Sequence, residues 1–109
     1  MPINNSEQAR LPDELKIEVL TGAYDLIGTL EFNPVLIIFD NQSLVSVEIG
    51  TTGSTTWRTF PAGEALVLDL RDKAHNASNF TFRKGMPFYA KGSAGANTFS
   101  ISYVYAREN

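Results

Sequence analysis

The chain has 109 residues, of which 43% are hydrophobic and 19% charged, a balance typical of one globular domain rather than of a disordered segment. Its net charge of −3 argues against nucleic acid as a main partner, because phosphate binding needs a basic surface. The absence of cysteine excludes disulfide scaffolds, cysteine-based zinc sites and thiol nucleophiles.

The beginning of the chain is polar. The segment MPINNSEQARLPDE has no basic stretch followed by an apolar one, so it is not a secretory signal. The longest apolar run, at residues 35–39, is far shorter than the ~18 residues of a membrane-spanning helix. The chain is therefore expected to be soluble, with no membrane partner. Residues 1–13 show no periodicity, which predicts an extended N-terminal arm before a domain at residues 14–109.

From residue 15 the hydrophobic pattern has a period of two, as in half-buried β-strands. The segment LKIEVL places Leu15 and Ile17 on one face. In the next segment, YDLIGTLEF, Gly28 interrupts the apolar face, which indicates either a bulge or the close approach of another backbone. The large side chains predicted to share that face are Tyr24, Leu26, Leu30 and Phe32.

The middle of the chain continues as short strands. The segment VLIIF is apolar on both faces, which predicts a strand covered from both sides. After it, LVSVEI alternates valine and isoleucine with serine and glutamate, and EALVLDL alternates leucine with valine and aspartate. Between these two, WRTF is a short strand after a flexible Gly/Thr loop, and Pro61-Ala62-Gly63 is a tight turn.

The last strand alternates most clearly, with Phe99, Ile101, Tyr103 and Tyr105 on one face. It follows the shorter segments FTF and MPFYAK. Turn signals recur about every ten residues along the chain and separate about eight short strands. This spacing predicts an all-β fold, an antiparallel β-sandwich that is jelly-roll-like or Ig-like.

Little in the sequence points to catalysis. His75, the single histidine, lies in a polar loop, and no G-x-S-x-G motif is present, so a surface histidine is favoured over a triad member. One histidine without cysteine does not build a usual catalytic zinc site. We expect no enzyme activity, no cofactor and no bound metal.

Two polar features have both a chemical and a bland interpretation. The loop DLRDKAHNASN holds oxygen ligands of the kind that suit calcium, but its spacing differs from that of an EF-hand, so a solvated loop is favoured. These ligands are Asp69, Asp72, Asn76 and Asn79. A local basic patch is the second feature, and solvated turn residues are again favoured. Its residues are Arg71, Lys73, Arg83, Lys84 and Lys91.

Aromatic residues give the strongest remaining signal, because tyrosine and tryptophan are enriched at protein interfaces and also stack on sugar rings. Trp57 lies in a threonine-rich neighbourhood beside Arg58. The alternation of the last strand favours a core position for Tyr103, with Tyr105 at the rim, over an interface role. The candidate interface residues are Trp57, Arg58, Tyr89, Tyr103 and Tyr105.

Three segments resemble small β-sandwich proteins of tailed-phage virions, the class of head-decoration, head-fibre and connector-associated proteins. They are VLIIFDNQSLVSVEIG, PAGEALVLDL and PFYAKGSAGANTFSISYVY, within residues 35–105. The resemblance implies a non-enzymatic homo-oligomer that binds itself and other virion proteins. It also implies a location in the virion after assembly in the host cytoplasm, with the polar arm lying along a neighbouring subunit.

An alternative from another class is a carbohydrate-binding module. It would use Trp57 or Tyr89 as a stacking platform, and it requires that the chosen ring be exposed. The groups that would bond sugar hydroxyls are Asp69, Asp72 and Asn76. A glycan is therefore a partner that the sequence leaves open.

Overall fold

A computed structural model describes residues 10–70 and 82–106. Within these ranges the chain forms eight β-strands and no helix. The strands are β1 Arg10–Ile17, β2 Asp25–Thr29, β3 Pro34–Asn41, β4 Val47–Gly50, β5 Arg58–Phe60, β6 Ala65–Asp69, β7 Pro87–Lys91 and β8 Phe99–Ala106. In this part of the chain there is accordingly no helix of the length and apolarity that crossing a membrane requires.

The strands form two antiparallel sheets of four strands each, in the orders β1-β8-β3-β6 and β2-β7-β4-β5. Strands from the two halves of the chain pair as β1 with β8, β2 with β7, β3 with β6 and β4 with β5. One long hairpin rolled onto itself produces this pairing, and it is the strand order of a jelly roll. The predicted antiparallel β-sandwich is confirmed, and the strand order selects the jelly roll over the Ig-like alternative.

The core lies between the two sheets and is rich in aromatic rings. The Phe39 ring centroid lies 5.2 Å from that of Trp57, 5.9 Å from that of Phe82 and 5.7 Å from that of Phe88. The inward side chains of β8, at Phe99, Ile101 and Tyr103, are fully buried, as the alternation predicts. Burial of these side chains is the main stabilising contribution, because each removes a large apolar surface from water.

Strand β1 begins earlier than the sequence indicates. It pairs with β8 from Arg10 opposite Ala106 to Ile17 opposite Phe99, so residues 10–13 of the predicted arm belong to the sheet. Three of these residues, Arg10, Pro12 and Asp13, are charged or proline, which an edge strand tolerates, so Leu11 alone gives no alternation. The rest of the predicted arm, residues 1–9, lies outside the described ranges.

The predicted irregularity at Gly28 is confirmed as a β-bulge. Leu26 pairs with Tyr89 and Gly28 pairs with Phe88, so Ile27 is the extra residue of β2. A Cβ atom on Gly28 would lie 3.0 Å from Leu15 Cδ2, so the close neighbour is a side chain rather than a backbone. The bulge reverses the alternation, and the prediction that Leu26 shares a face with the buried Leu30 is wrong.

The sequence predicts that β3 is covered on both faces, but the part of the chain that the structure describes covers only its inner face. Ile37 and Phe39 are buried in the core, whereas Leu36 and Ile38 point outward and are half-buried. Across the sheet Ile38 pairs with Val67, which is 57% exposed. Among the described residues no further layer covers this face.

Because the strands are antiparallel, their connections gather at two ends of the sandwich. The first, here named the terminal end, comprises residues 30–33, 51–57 and 82–86 together with the strand ends at Arg10 and Ala106. The second, here named the loop end, comprises the remaining connections. These are residues 18–24, 42–46, 61–64 and 92–98.

The buried Asn41 side chain holds the loop end together. Its Nδ2 atom donates to the carbonyl oxygens of Val45 and Phe60 at 2.9 Å and of Pro61 at 3.0 Å. Its Oδ1 atom accepts from the Ser43 amide and hydroxyl. One side chain therefore joins two connections that are far apart in the sequence, and a buried amide with all its partners is rigid.

Candidate functional site

The structure separates the predicted interface residues into three environments. Trp57, Arg58 and Tyr105 lie at the terminal end, at the beginning of β5 and the end of β8. Tyr103 is buried between the sheets, and Tyr89 lies on the outer face of the second sheet. The terminal end is therefore the region that brings most of them together.

Trp57 is half-buried and contributes to the core. Its ring centroid lies 5.6 Å from that of Phe82, which adds to its contact with Phe39. Arg58 beside it is exposed, with its guanidinium carbon 5.4 Å from the centroid of the Phe60 ring. A ring held by other aromatic rings on the core side is not an open stacking platform, so this position fits sugar binding poorly.

Tyr103 joins three parts of the chain from inside. Its hydroxyl donates to Asp13 Oδ2 at 2.8 Å and accepts from the Glu31 amide at 3.0 Å. Burial, followed by the hydrogen bond to the Asp13 carboxylate, raises the pKa of Tyr103 to about 12. With 1% of its surface exposed, Tyr103 offers a partner almost no contact area. Its role is to fix Asp13 and the connection at Glu31 from inside the sandwich.

Tyr105 forms an aromatic stack with Phe32 at the terminal end. The ring centroids are 3.8 Å apart and the planes differ by 6°. Phe32 is 38% exposed, so the stack presents an aromatic surface beside the chain ends. Phe32 is not among the predicted interface residues, although its position directly before the Asn33-Pro34 turn is a signal in the sequence.

An open cleft lies at the same end, with a volume of about 320 Å³. Its lining residues are Thr51, Arg83, Lys84, Gly85, Met86 and Pro87. Among the described residues neither Arg83 nor Lys84 forms an ion pair. The sequence favours solvated turn residues at these positions, and the structure places two of the five basic residues on one cleft.

Hydrogen bonds fix the turn that carries these two cations. The Lys84 amide donates to Asn33 Oδ1 at 2.7 Å, and the Gly85 amide donates to the Leu30 carbonyl at 2.8 Å. Gly85 has φ of +92°, a left-handed conformation that glycine adopts without strain. The cations are thus presented by a backbone whose geometry is set before any ligand arrives.

Tyr89 lies in a different setting, on the outer face of the second sheet. It is half-buried, with the exposed Leu26 on one side and Gly50 on the other. Nearby, Thr56 Oγ1 donates to Glu48 Oε1 at 2.7 Å, and Thr56 is also hydrogen-bonded to the hydroxyl of Tyr24. Lys91, another of the five basic residues, lies over the Tyr24 ring.

Within residues 10–70 and 82–106, no group of three or more histidine, cysteine, aspartate or glutamate side chains is arranged to hold a metal ion. The calcium and catalytic hypotheses depend mainly on residues outside these ranges. Those residues are His75, Asp72, Asn76 and Asn79, and the basic residues Arg71 and Lys73 are also outside.

No protein-family model matches the sequence, and no curated protein matches it. The fold is similar to that of a solved chain from Bacillus endospore appendages, which are described as a novel family of disulfide-linked pili. The match has a TM-score of 0.50 and covers 99% of this chain and 97% of that chain. At 15% sequence identity, this likeness concerns the fold alone.

Proposed function

We propose that this chain is a non-enzymatic structural subunit that associates with copies of itself, in a tailed-phage virion as a decoration or head–tail accessory protein. The proposed self-association rests on the side chains exposed at the terminal end. An exposed aromatic stack, Phe32 on Tyr105, lies there beside the cations Arg83 and Lys84, which form no ion pair with any residue that the structure describes. Aromatic and arginine side chains grouped on one surface are typical of protein interfaces.

Three further observations support the proposal. Jelly rolls occur in viral capsid domains, where rigid sandwiches pack side by side. The segments that resemble phage virion proteins form β3, β4, β6, β7 and β8, which are the inner strands of both sheets and one edge strand. The similar fold in a pilus subunit is consistent with a role in which the domain is repeated.

Association of this chain is non-covalent. The 109 residues contain no cysteine, so a disulfide-linked polymer like that of the Bacillus appendages is not available to them. The contacts are therefore apolar, aromatic and ionic, and the assembly is reversible and dependent on concentration.

The carbohydrate-binding alternative retains one platform. Tyr89 is half-buried opposite Gly50, where the Thr55 backbone occupies the space that a side chain would take, whereas Trp57 packs against core rings. Jelly rolls are also found among lectins. Tyrosine fluorescence and calorimetry with a panel of glycans test this alternative, with Tyr89→Ala as the matched variant. Heat release that this variant abolishes would favour sugar binding over assembly.

The proposed self-association is tested by light scattering during size-exclusion chromatography over a wide range of loading concentrations. We expect a multimer or a growing polymer whose mass rises with concentration. A mass of 12.0 kDa at every concentration would contradict self-association. The virion location is tested separately by mass spectrometry of density-purified phage particles, in which peptides of this chain should be present in many copies.

A further inference from the structure

We propose that the cleft at the terminal end of one copy receives the loop end of a second copy, so that copies join head to tail. This inference rests on the proposed self-association and specifies its geometry. The two surfaces are complementary in charge and in apolar character, and both are rigid.

The cleft is lined by basic side chains, whereas the charged residues in the connections of the loop end are acidic. In the four connections of the loop end, the charged residues are Glu18 and Glu64, and Glu18 also forms an exposed ion pair with Lys16 at the end of β1, at 3.6 Å. The cleft at the terminal end is lined by Arg83 and Lys84 and by no acidic residue. Opposite charges on the two ends favour contact between unlike ends and disfavour contact between like ends.

Apolar surface is complementary as well. Leu44 projects from the loop end with 93% of its surface exposed, and Val19 on the neighbouring connection is 59% exposed. Besides its two cations, the cleft is lined by the apolar side chains of Met86 and Pro87, and its volume is about 320 Å³. An isolated leucine exposed to this degree costs free energy in water, and burial against Met86 and Pro87 would recover it.

Both surfaces are rigid before they meet. The Asn41 side-chain amide donates to the carbonyls of Val45, next to Leu44, and of Pro61, in the connection that carries Glu64. These two hydrogen bonds fix both connections. The turn that bears Arg83 and Lys84 is fixed by its bonds to Leu30 and Asn33. Contacts between preorganised surfaces lose little conformational entropy on binding, so a small interface can still be specific.

A contact between two different surfaces of the same molecule leaves one unused copy of each surface at the ends of every open oligomer. Such heterologous contacts form closed rings when the rotation between copies closes and filaments when it does not. The ionic part of the contact also makes it sensitive to salt above ~0.1 M, where the Debye length falls below ~10 Å.

The apolar part is tested with Leu44→Ser and a matched control, Val67→Ser, which makes the same kind of change on the outer face of β6. Because Leu44 is nearly fully exposed, its replacement leaves the fold intact. We expect Leu44→Ser to weaken self-association by roughly tenfold or more and Val67→Ser to leave it unchanged. The opposite result would place the contact on the sheet face and overturn the proposal.

The ionic part is tested by a charge exchange. A first variant carries Arg83→Glu with Lys84→Glu, and a second carries Glu18→Lys with Glu64→Lys. Each variant alone opposes like charges across the contact and should assemble at least roughly tenfold more weakly than the wild type. Mixed in equal amounts, the two variants restore opposite charges at every contact, so assembly should return. Thermal unfolding of each variant checks that it folds.

The outcomes separate this inference from the proposal on which it rests. Assembly of the wild type, with loss in each variant and recovery in the mixture, supports the head-to-tail contact. Assembly of the wild type and of both variants alike overturns the head-to-tail contact and leaves self-association standing. A wild type that remains monomeric overturns both.

Discussion

At the scale of single residues, buried polar side chains join parts of the sandwich that are distant in the sequence. Tyr103 on β8 contacts Asp13 on β1 and the Glu31 amide in the connection after β2. The alternation of the last strand predicts that Tyr103 is inside. It does not predict its partners, because Asp13 lies in a polar segment with no periodicity and comes opposite Tyr103 only through strand pairing.

Replacement of Tyr103 by phenylalanine should lower the free energy of unfolding by roughly 1–3 kcal/mol, because Asp13 Oδ2 and the Glu31 amide lose their hydrogen bonds to the Tyr103 hydroxyl. The change also alters the response to alkali. Since folding raises the pKa of Tyr103 from 10.0 to about 12, the protonated form stabilises the native state. That contribution is complete below pH 10 and is lost as the pH rises to about 12.

Urea unfolding followed by circular dichroism between pH 8 and pH 12 measures both effects. The free energy of unfolding of the wild type should fall relative to that of Tyr103→Phe by roughly 2–3 kcal/mol between pH 10 and pH 12. This change corresponds to ~1.4 kcal/mol per pH unit. Tyr105→Phe is the matched control, since its ring lies at the rim in the stack with Phe32. A constant difference at all pH values would contradict the assigned role of the Tyr103 hydroxyl.

At the scale of strands, the period-two pattern predicts β4, β6 and β8 well, because in each strand the alternate large apolar side chains face the core. It fails where pairing rather than burial determines the strand. Residues 10–13 are in β1 only because β8 supplies their hydrogen bonds, and the bulge at Ile27 shifts the alternation of β2 by one residue. Neither effect leaves a periodic signal in the sequence.

Two N-terminal deletions distinguish the arm from strand β1. Removal of residues 1–9 leaves β1 whole, so the stability should stay within about 0.5 kcal/mol of the wild type, while self-association weakens if the arm lies along a neighbour. Removal of residues 1–13 also takes half of the edge strand and the Asp13 carboxylate. It should reduce the free energy of unfolding by at least about 2 kcal/mol.

Thermal unfolding and light scattering on the same samples separate the two effects. Equal stability of both truncated chains would show that residues 10–13 do not contribute to the sheet. Undiminished assembly after removal of residues 1–9 would remove the arm from the proposed contacts.

At the scale of the whole molecule, residue type predicted several members of the candidate site but not their arrangement. Trp57, Arg58 and Tyr105 were selected as aromatic or cationic residues, and the jelly roll brings them to the end where Arg83 and Lys84 line a cleft with Thr51. Nothing in the local sequence connects residue 51 with residues 83–87. Their proximity follows from the pairing of β4 with β7, and the opposition of the two ends follows from the connectivity.

The most direct test of the account is hydrogen–deuterium exchange of the intact chain in dilute and in concentrated solution. We predict slower exchange on concentration at the terminal end, in residues 30–33, 51–57 and 82–86, and at the loop end in residues 42–46. The outer face of β6 should exchange at the same rate in both samples. Exchange that is identical at the two concentrations, or slowed only on the sheet faces, would contradict an assembly built through the ends of the sandwich.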